Sequence, residues 1–344
     1  MQLTIDLTGR EVLVTGADHA ARQAVRRYEA AGAVVYRLST PQGAGVDGPL
    51  PERPFLVAAI EDGQPGWDAL LDRCRATGIP VAAEPAAGPA GHVTLVGGGP
   101  GTTELLTVAA VAALRDADVV FYDRLAPYQE LPSLTSAELV DVGKKPGHHK
   151  VSQADIEKLM VESALAGNNV VRLKGGDPYV FGRGGEEVAS CVAAGVPVRV
   201  VSGVTSAISV PAAAGIPVTH REVSHMFTVV SGHAPLTEDE LKHLAGLGGT
   251  IVVLMGIGTL HHLAAGLRRA GMRADMPMAV VERGYRPGQR TTIAELGTIT
   301  AAAAGCSNPA VLVIGEVVRV AEANRGGADA AAELDRLAAS LMEA

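Results

Sequence analysis

Two glycine-rich stretches carry the residue types best suited to chemistry on a bound ligand. The first, Gly97–Gly101, follows an apolar run and precedes a helical one, so a ligand could approach its backbone closely. Its Pro100 and the lack of a following Gly-Lys-Ser/Thr exclude a Walker phosphate loop. The second stretch, Arg172–Glu187, sets repeated glycines beside Asp177 and Arg183, which is too many for a plain strand-to-helix connection. We therefore expect both turns to bind a ligand.

A further glycine turn, near the amino terminus, has the layout of a dinucleotide site without its residues. Glu11–Leu38 has the pattern of a Rossmann unit: a strand, a turn, a helix and a second strand. The three fingerprint positions for glycine hold Gly16, Asp18 and Ala21. Asp18 adds a negative charge where a diphosphate would lie, and the neighbourhood of Arg37 replaces the acidic residue expected for a ribose hydroxyl. We predict that this unit binds no NAD and has a structural role.

The elements that must position these residues are those of a layered α/β protein. The length of 344 residues favours two or three domains. Short β-branched runs alternate with Ala- and Leu-rich helical segments, which is typical of parallel sheets covered by helices. The strand patterns that flank the glycine turns are His92–Gly97, Asp118–Tyr122, Glu138–Val142, Asn169–Lys174 and Val198–Val201, and the later ones are Phe227–Ser231, Thr250–Met255, Met278–Glu282 and Ala310–Gly315.

Composition excludes several classes of function. No apolar span approaches the roughly 20 residues of a membrane-crossing helix, and the first residues do not resemble a signal peptide, so we expect a cytoplasmic protein. The formal net charge of −8 leaves no bulk attraction for nucleic acid. An acidic substrate would therefore need a local cluster of Arg and Lys.

No metal site is predicted. Cys74, Cys191 and Cys306 lie far apart without ligand spacing, and we interpret them as small hydrophobic residues in a reducing compartment. The adjacent pairs His148–His149 and His261–His262 lack the spacing and the third ligand of a zinc site.

Long, ordered motifs make the chain from about His92 to Ala321 resemble the tetrapyrrole methylases, and within them the uroporphyrinogen-III C-methyltransferases. The first 85 residues resemble a shortened form of the NAD-binding domain of siroheme synthases, without the middle dimerisation segment. The motifs that carry the resemblance include VGGGPGTTELLT (96–107), FYDRL (121–125), VGKKPGHHKVSQ (142–153), RLKGGDPYVFGRGGEE (172–187), VSGVTSAISVPAAAGIPVTHRE (201–222), SGH (231–233), VVLMGIGTL (252–260) and NPAVLVIGEVV (308–318).

The resemblance implies a small Rossmann-like domain followed by the two-domain α/β methylase fold. We expect a vestigial, precorrin-2 dehydrogenase-like domain over 1–85, a linker over 86–91, methylase subdomains over 92–205 and 206–322, and a tail over 323–344. Ala328–Met342 in that tail has the pattern of an amphipathic helix.

The implied reaction is the transfer of methyl groups from S-adenosylmethionine to C2 and C7 of uroporphyrinogen III, giving precorrin-2 for siroheme or cobalamin biosynthesis. The family also implies a homodimer and a cofactor held in the cleft between the two subdomains. Asp177 can accept from a ribose or amino group, Met255 offers adenine an apolar surface, and Thr205 and Ser206 begin a helix that Thr205 could also cap. The implied cofactor contacts are Pro100, Gly175, Gly176, Asp177, Val180, Thr205, Ser206, Met255 and Gly284.

Two residues match the family's acid–base positions: Asp123 in YDRL and Lys144 in VGKK. Methylation of a pyrrole carbon must be followed by loss of a proton, so orientation and proton removal are what the protein can supply. Asp123 comes just after a predicted strand, where open α/β sheets place functional side chains, and we expect it to be the base. Lys144 is expected either to donate a proton or to bind a substrate carboxylate.

The implied substrate carries eight carboxylates, so the cleft should be locally basic. We expect substrate contacts from basic residues in or beside the shared motifs, namely Arg124, Lys145, His148, Arg183 and Arg221.

Three other functions are weighed. A later corrin-pathway methylase is the rival within the family, and the extended 172–187 and 215–222 motifs favour the uroporphyrinogen enzyme. A bifunctional enzyme would also oxidise precorrin-2 with NAD, but only Glu84 stands near the place of the dehydrogenase's Asn and Asp. A binding module without catalysis would require loss of the base, yet Asp123 is present.

Overall fold

The computed structural model describes residues 5–41, 51–86, 91–143 and 152–325, and these residues form three β-sheets with helices packed on them. The first sheet has the order β2-β1-β3-β4 and is parallel throughout. Its strands bury apolar side chains such as Val12 and Val57 against the helices. The elements are β1 (Glu11–Thr15), α1 (Asp18–Ala30), β2 (Val34–Leu38), β3 (Leu56–Glu61), α2 (Asp68–Ala76) and β4 (Val81–Pro85).

The second sheet has the order β7-β6-β8-β5-β9 and is also parallel. The chain leaves β5 toward β6 on one side and leaves β8 toward β9 on the other, so the sheet changes direction between β5 and β8. Ligands bind at such a point, outside the carboxyl ends of the strands. The elements are β5 (His92–Gly97), α3 (Val108–Asp116), β6 (Val119–Tyr122), α4 (Leu131–Leu134), β7 (Glu138–Asp141), α5 (Gln153–Leu165), β8 (Asn169–Lys174), α6 (Gly184–Ala193) and β9 (Val198–Val201).

The third sheet has the order β10-β11-β14-β12-β13 and is mixed. Only β10 and β11 pair in parallel, while β14 inserts antiparallel between β11 and β12, and β13 forms a hairpin with β12. The elements are α7 (Ser206–Ala213), β10 (Phe227–Ser231), α8 (Glu238–Leu247), β11 (Thr250–Leu254), α9 (Leu260–Arg269), β12 (Pro277–Glu282), β13 (Arg290–Glu295), α10 (Ile299–Ala302), β14 (Ala310–Ile314) and α11 (Val317–Arg325).

The predicted α/β class is confirmed. Strand β13 has no counterpart among the predicted strands, because it is a half-buried edge strand with a weak apolar pattern. Helix α7 runs through Pro211. The predicted helix Ala328–Met342 lies outside the described residues.

Charged residues of helix α1 attach the first sheet to the second. Arg22 Nε and Arg26 Nη1 each lie 3.1 Å from the buried carboxylate of Asp118, which also accepts a hydrogen bond from the backbone N–H of Asn169 (2.7 Å). Asp118 and Asn169 lie at the amino ends of β6 and β8. The contact therefore lies at the edge of the second sheet opposite to its ligand-binding edge. No helix of the described ranges is long and apolar enough to cross a membrane.

Candidate active site

The two glycine turns singled out in the sequence pair directly through their backbones. Gly99 N–H donates to Gly176 O (3.2 Å) and Gly176 N–H donates to Gly99 O (2.7 Å). Both glycines have a left-handed backbone, with φ of 67° and 69°, which side-chain-bearing residues rarely adopt. The paired turns lie at the carboxyl ends of β5 and β8, where the second sheet changes direction.

A cleft of about 820 Å³ opens above this pair, between the second and third sheets. Its size lies in the range of pockets that enclose a small molecule. The structure brings all nine predicted cofactor residues to its wall: Pro100, Gly175, Gly176, Asp177, Val180, Thr205, Ser206, Met255 and Gly284.

The polar members of this set are held by local hydrogen bonds. The two carboxylate oxygens of Asp177 accept from the backbone N–H groups of Tyr179 (2.8 Å) and Gly203 (3.0 Å). Thr205 caps α7 by accepting from the backbone N–H of Ala207 (3.3 Å). Asp177 thus fixes the glycine turn to the segment that leads into α7, and it lines the cleft.

Met255 follows β11 with a left-handed backbone (φ 59°) and a side chain that is 42% exposed. Such a conformation in a residue with a side chain costs free energy and is found preferentially at functional sites. Because it lines the cleft opposite the glycine turns, Met255 presents an apolar, polarisable surface to a bound ring.

Asp123, the predicted base, follows β6 and lines the same cleft. Its Oδ1 accepts from the backbone N–H groups of Leu125 (3.0 Å) and Ala126 (3.2 Å), and its Oδ2 lies 3.6 Å from Arg172 Nη2. These contacts hold the carboxylate in one orientation, in which it can accept a proton from a group in the cleft.

Arg172 belongs to a buried group of charges that also contains Lys174 and Glu187. Its Nε lies 3.0 Å from Glu187 Oε1, and Lys174 Nζ donates to Glu187 over 2.9 Å. All three side chains are almost fully buried. Burial lowers the pKa of Lys174, as does the nearby Arg172, whereas Glu187 opposes this shift. The signal in the sequence is two cations two residues apart in the otherwise apolar strand β8, which places them on one face.

Only some of the predicted substrate contacts lie at the cleft. Arg124 and Arg183 line the cleft, and Arg183 also forms an ion pair with Glu186 (2.6 Å). Arg221 is exposed and is not among the residues that line this cleft. Lys145 and His148, together with the predicted acid–base residue Lys144, lie outside the described residues. The cleft is also lined by Lys174, a basic residue of the 172–187 motif, and by basic side chains that the sequence reasoning missed: Arg172, His233, Arg283 and Arg286.

The amino-terminal turn is filled by the protein's own carboxylates. Asp62 Oδ2 accepts from the backbone N–H of Ala17 (2.7 Å), which is where a Rossmann turn would face a phosphate. Asp18 Oδ1 accepts from Arg37 (2.6 Å) and Ser39 (2.5 Å).

Glu84, considered above as a stand-in for a dehydrogenase base, is engaged within the first sheet domain. It accepts a hydrogen bond from Tyr28 Oη (2.6 Å) and pairs with Arg27. No group of three or more His, Cys, Asp or Glu suited to a metal occurs within the part of the chain that the structure describes.

Comparisons with known proteins agree on one family. The sequence profile described as Tetrapyrrole (Corrin/Porphyrin) Methylases matches residues 92–300. A protein named S-adenosyl-L-methionine-dependent uroporphyrinogen III methyltransferase, from Methanosarcina barkeri, is 48% identical over 237 residues, which are 67% of this chain and 93% of that protein. The uroporphyrinogen-III C-methyltransferase of Methanocaldococcus jannaschii is 45% identical over 238 residues, which are 67% and 98% of the two chains.

A longer relative and a solved structure are also similar to this chain. The siroheme synthase of Gluconobacter oxydans is 44% identical over 67% of this chain, but the chain spans only half the length of that relative. Among solved structures, a uroporphyrin-III C-methyltransferase from Thermus thermophilus, complexed with S-adenosylhomocysteine, is 43% identical with a TM-score of 0.57. That match covers 67% of this chain and 100% of the other.

Proposed function

Because the chain belongs to the tetrapyrrole (corrin/porphyrin) methylase family, we propose that its cleft transfers methyl groups from S-adenosylmethionine to C2 and C7 of uroporphyrinogen III. The products are precorrin-2 and S-adenosylhomocysteine. One observation carries the proposal: the paired glycine turns and the oriented carboxylate of Asp123 line a single cleft.

The residues of the cleft fit an adenosyl cofactor. Gly175 faces Leu125 so closely that a Cβ on the glycine would lie 2.4 Å from Leu125 Cβ, so only glycine lets the turn approach the Asp123 loop this closely. Met255 supplies an apolar contact, and Asp177 and Thr205 supply polar ones. When bound, S-adenosylmethionine supplies an electrophilic methyl group.

The chain's own residues supply orientation and proton removal. Asp123, fixed by two backbone N–H groups, accepts the proton that the methylated ring must lose. Arg124 and Arg183 lie where they can bind substrate carboxylates. Lys145, His148 and Arg221 are proposed as further carboxylate contacts, and Lys144 as a proton donor or a carboxylate contact, on the motifs they occupy.

We further infer a homodimer that works in the cytoplasm, and this inference rests on the resemblance to the family alone. Light scattering on the purified chain checks the first part, since a dimer would have twice the chain mass of 35.2 kDa. A mass equal to that of one chain would contradict it.

Anaerobic incubation of the chain with uroporphyrinogen III and S-adenosylmethionine tests the function. The expected product carries two added methyl groups by mass spectrometry. A chain that leaves uroporphyrinogen III untouched and methylates only a later precorrin would contradict the proposal.

A further inference from the structure

Arg286 lies on the turn 283–289, which joins β12 to β13 in the third sheet. The turn is held by its own hydrogen bonds: Arg286 N–H donates to Arg283 O (2.9 Å) and Gln289 N–H donates to Arg286 O (3.1 Å). Gln289 Nε2 also donates to Ala213 O (2.9 Å) at the end of α7. Arg286 therefore projects from a fixed base.

The guanidinium of Arg286 crosses the cleft and binds two loops of the second sheet. Nε donates to Pro100 O (3.2 Å), Nη1 to Arg124 O (3.5 Å) and Nη2 to Leu125 O (2.5 Å). Gly101 makes room for it, since a Cβ at that position would lie 2.2 Å from Arg286 Nε. One side chain of the third sheet thus holds the first glycine turn and the turn after β6 together.

The second of these loops carries the base. The backbone N–H of Leu125 donates to Asp123 Oδ1 (3.0 Å), while the carbonyl of the same residue accepts from Arg286. Any shift of Arg286 therefore moves the residue that orients the Asp123 carboxylate. The bond to Pro100 places that carboxylate relative to the predicted cofactor turn.

These three hydrogen bonds require a guanidinium, and another cation could not make them. Its three acceptors are uncharged carbonyl oxygens in different directions, which a planar fork with five N–H groups can reach at once. A lysine ammonium is a point donor on a flexible stem and cannot reproduce the three directions.

We propose that Arg286 is a positioning residue that joins the cofactor turn to the Asp123 turn across the cleft, an arrangement called the clasp below. The clasp fixes the position of the base relative to the methyl donor. The proposal rests on the function proposed above. The clasp acts on the geometry of the reacting groups, so its loss lowers kcat more than it raises KM for the tetrapyrrole.

Two variants and one control test the clasp. Arg286→Met removes the fork, and Arg286→Lys keeps the charge without it. Arg269→Met is the control, because Arg269 is an exposed arginine of the same subdomain whose partner is Glu238. We expect Arg286→Met to lower kcat by about 10-fold to 100-fold with KM for uroporphyrinogen III changed by less than about 3-fold. Arg286→Lys should recover little of the loss, and Arg269→Met should match the unmodified chain.

Three results would overturn the clasp. The first is an unchanged kcat in Arg286→Met. The second is a change in Arg286→Met that is confined to KM, which would indicate a substrate-carboxylate contact. The third is full recovery of kcat in Arg286→Lys, which would show that charge alone suffices. Binding of S-adenosylhomocysteine, measured by calorimetry, reports folding and the cofactor turn without turnover. Failure of the unmodified chain to methylate uroporphyrinogen III would instead count against the proposed function.

A second variant covers the case in which Arg286→Met does not fold. Gly101→Ala keeps the arginine but sets a Cβ against its guanidinium. We expect Gly101→Ala to lower kcat, and to lower it less when Arg286→Lys is already present, because the guanidinium that the new Cβ overlaps is then gone. An equal loss in both backgrounds would contradict the clasp.

Discussion

Backbone N–H groups and a group of buried charges hold Asp123 in place. Its carboxylate is oriented by two backbone N–H groups and lies near Arg172, which in turn pairs with the buried Glu187. Lys174 shares the same glutamate. The base is thus supported by a chain of charges that extends from the cleft into the core. Loss of Glu187, the buried end of that chain, should lower the free energy of unfolding.

Replacement of Glu187 tests this support. Glu187→Gln leaves Arg172 and Lys174 buried without their shared countercharge, so we expect the free energy of unfolding to fall by about 3 kcal/mol. Urea denaturation measures the change. The matched control is Glu186→Gln, since Glu186 is the exposed neighbour and its ion pair with Arg183 is screened by solvent, so its loss should change stability far less. Equal losses in the two variants would contradict a buried, energetically important network.

At the scale of elements, the loops of the third sheet that face the cleft are tied together by Glu282, the last residue of β12. Its Oε2 accepts from Arg290 Nε (2.6 Å) at the start of β13, and its Oε1 accepts from the backbone N–H of Ser307 (2.8 Å). The segment after Ser307 lines the cleft. One buried carboxylate therefore connects the hairpin turn that carries Arg286 with the segment before β14.

This carboxylate makes stability depend on pH. Burial alone would raise the pKa of Glu282, but hydrogen bonds from Arg290, Ser307 and Cys306 lower it from 4.5 to about 2. A lowered pKa means that the stabilisation is present above pH 4.5 and is lost as the pH falls toward 2. We expect the unfolding free energies of the unmodified chain and Glu282→Gln to differ by about 3 kcal/mol at pH 6. That difference should shrink steadily below pH 4.5, and a constant difference across this range would contradict the assignment.

Some of the elements that position the site could be predicted from the sequence, and others could not. Strands β8, β9 and β10 have the predicted bounds, because each contains neighbouring valines and lies between clear turn residues. The mixed order of the third sheet could not be predicted, since apolar patterns do not report the direction of pairing. Arg286 could not be found either, because its acceptors lie 161 to 186 residues away along the chain.

At the scale of the whole molecule, the first and third sheets meet the second at different places. The first sheet attaches near Asp118, at the amino ends of the strands of the second sheet, whereas the cleft lies at their carboxyl ends. The amino-terminal unit therefore packs against the side of the second sheet that lies away from the cleft, where it does not contact a ligand bound in the cleft.

We predict that the amino-terminal unit does not bind NAD. The carboxylate of Asp62 already accepts from the Ala17 N–H, and Asp18 pairs with Arg37, so a donor and a cation that a diphosphate would need are already occupied. Calorimetric titration with NAD should show no saturable heat, while titration of the same sample with S-adenosylhomocysteine should. A micromolar dissociation constant for NAD would show the prediction to be wrong.

The central claim is that one cleft brings the methyl donor and Asp123 together, and the variant Asp123→Asn tests it most directly through two readouts on one sample. The amide keeps the size of the side chain but cannot accept the ring proton. We predict that methylation of uroporphyrinogen III slows by about 100-fold or more, while the dissociation constant of S-adenosylhomocysteine stays within about 3-fold of that of the unmodified chain. Full turnover in Asp123→Asn would place the base elsewhere and contradict the account.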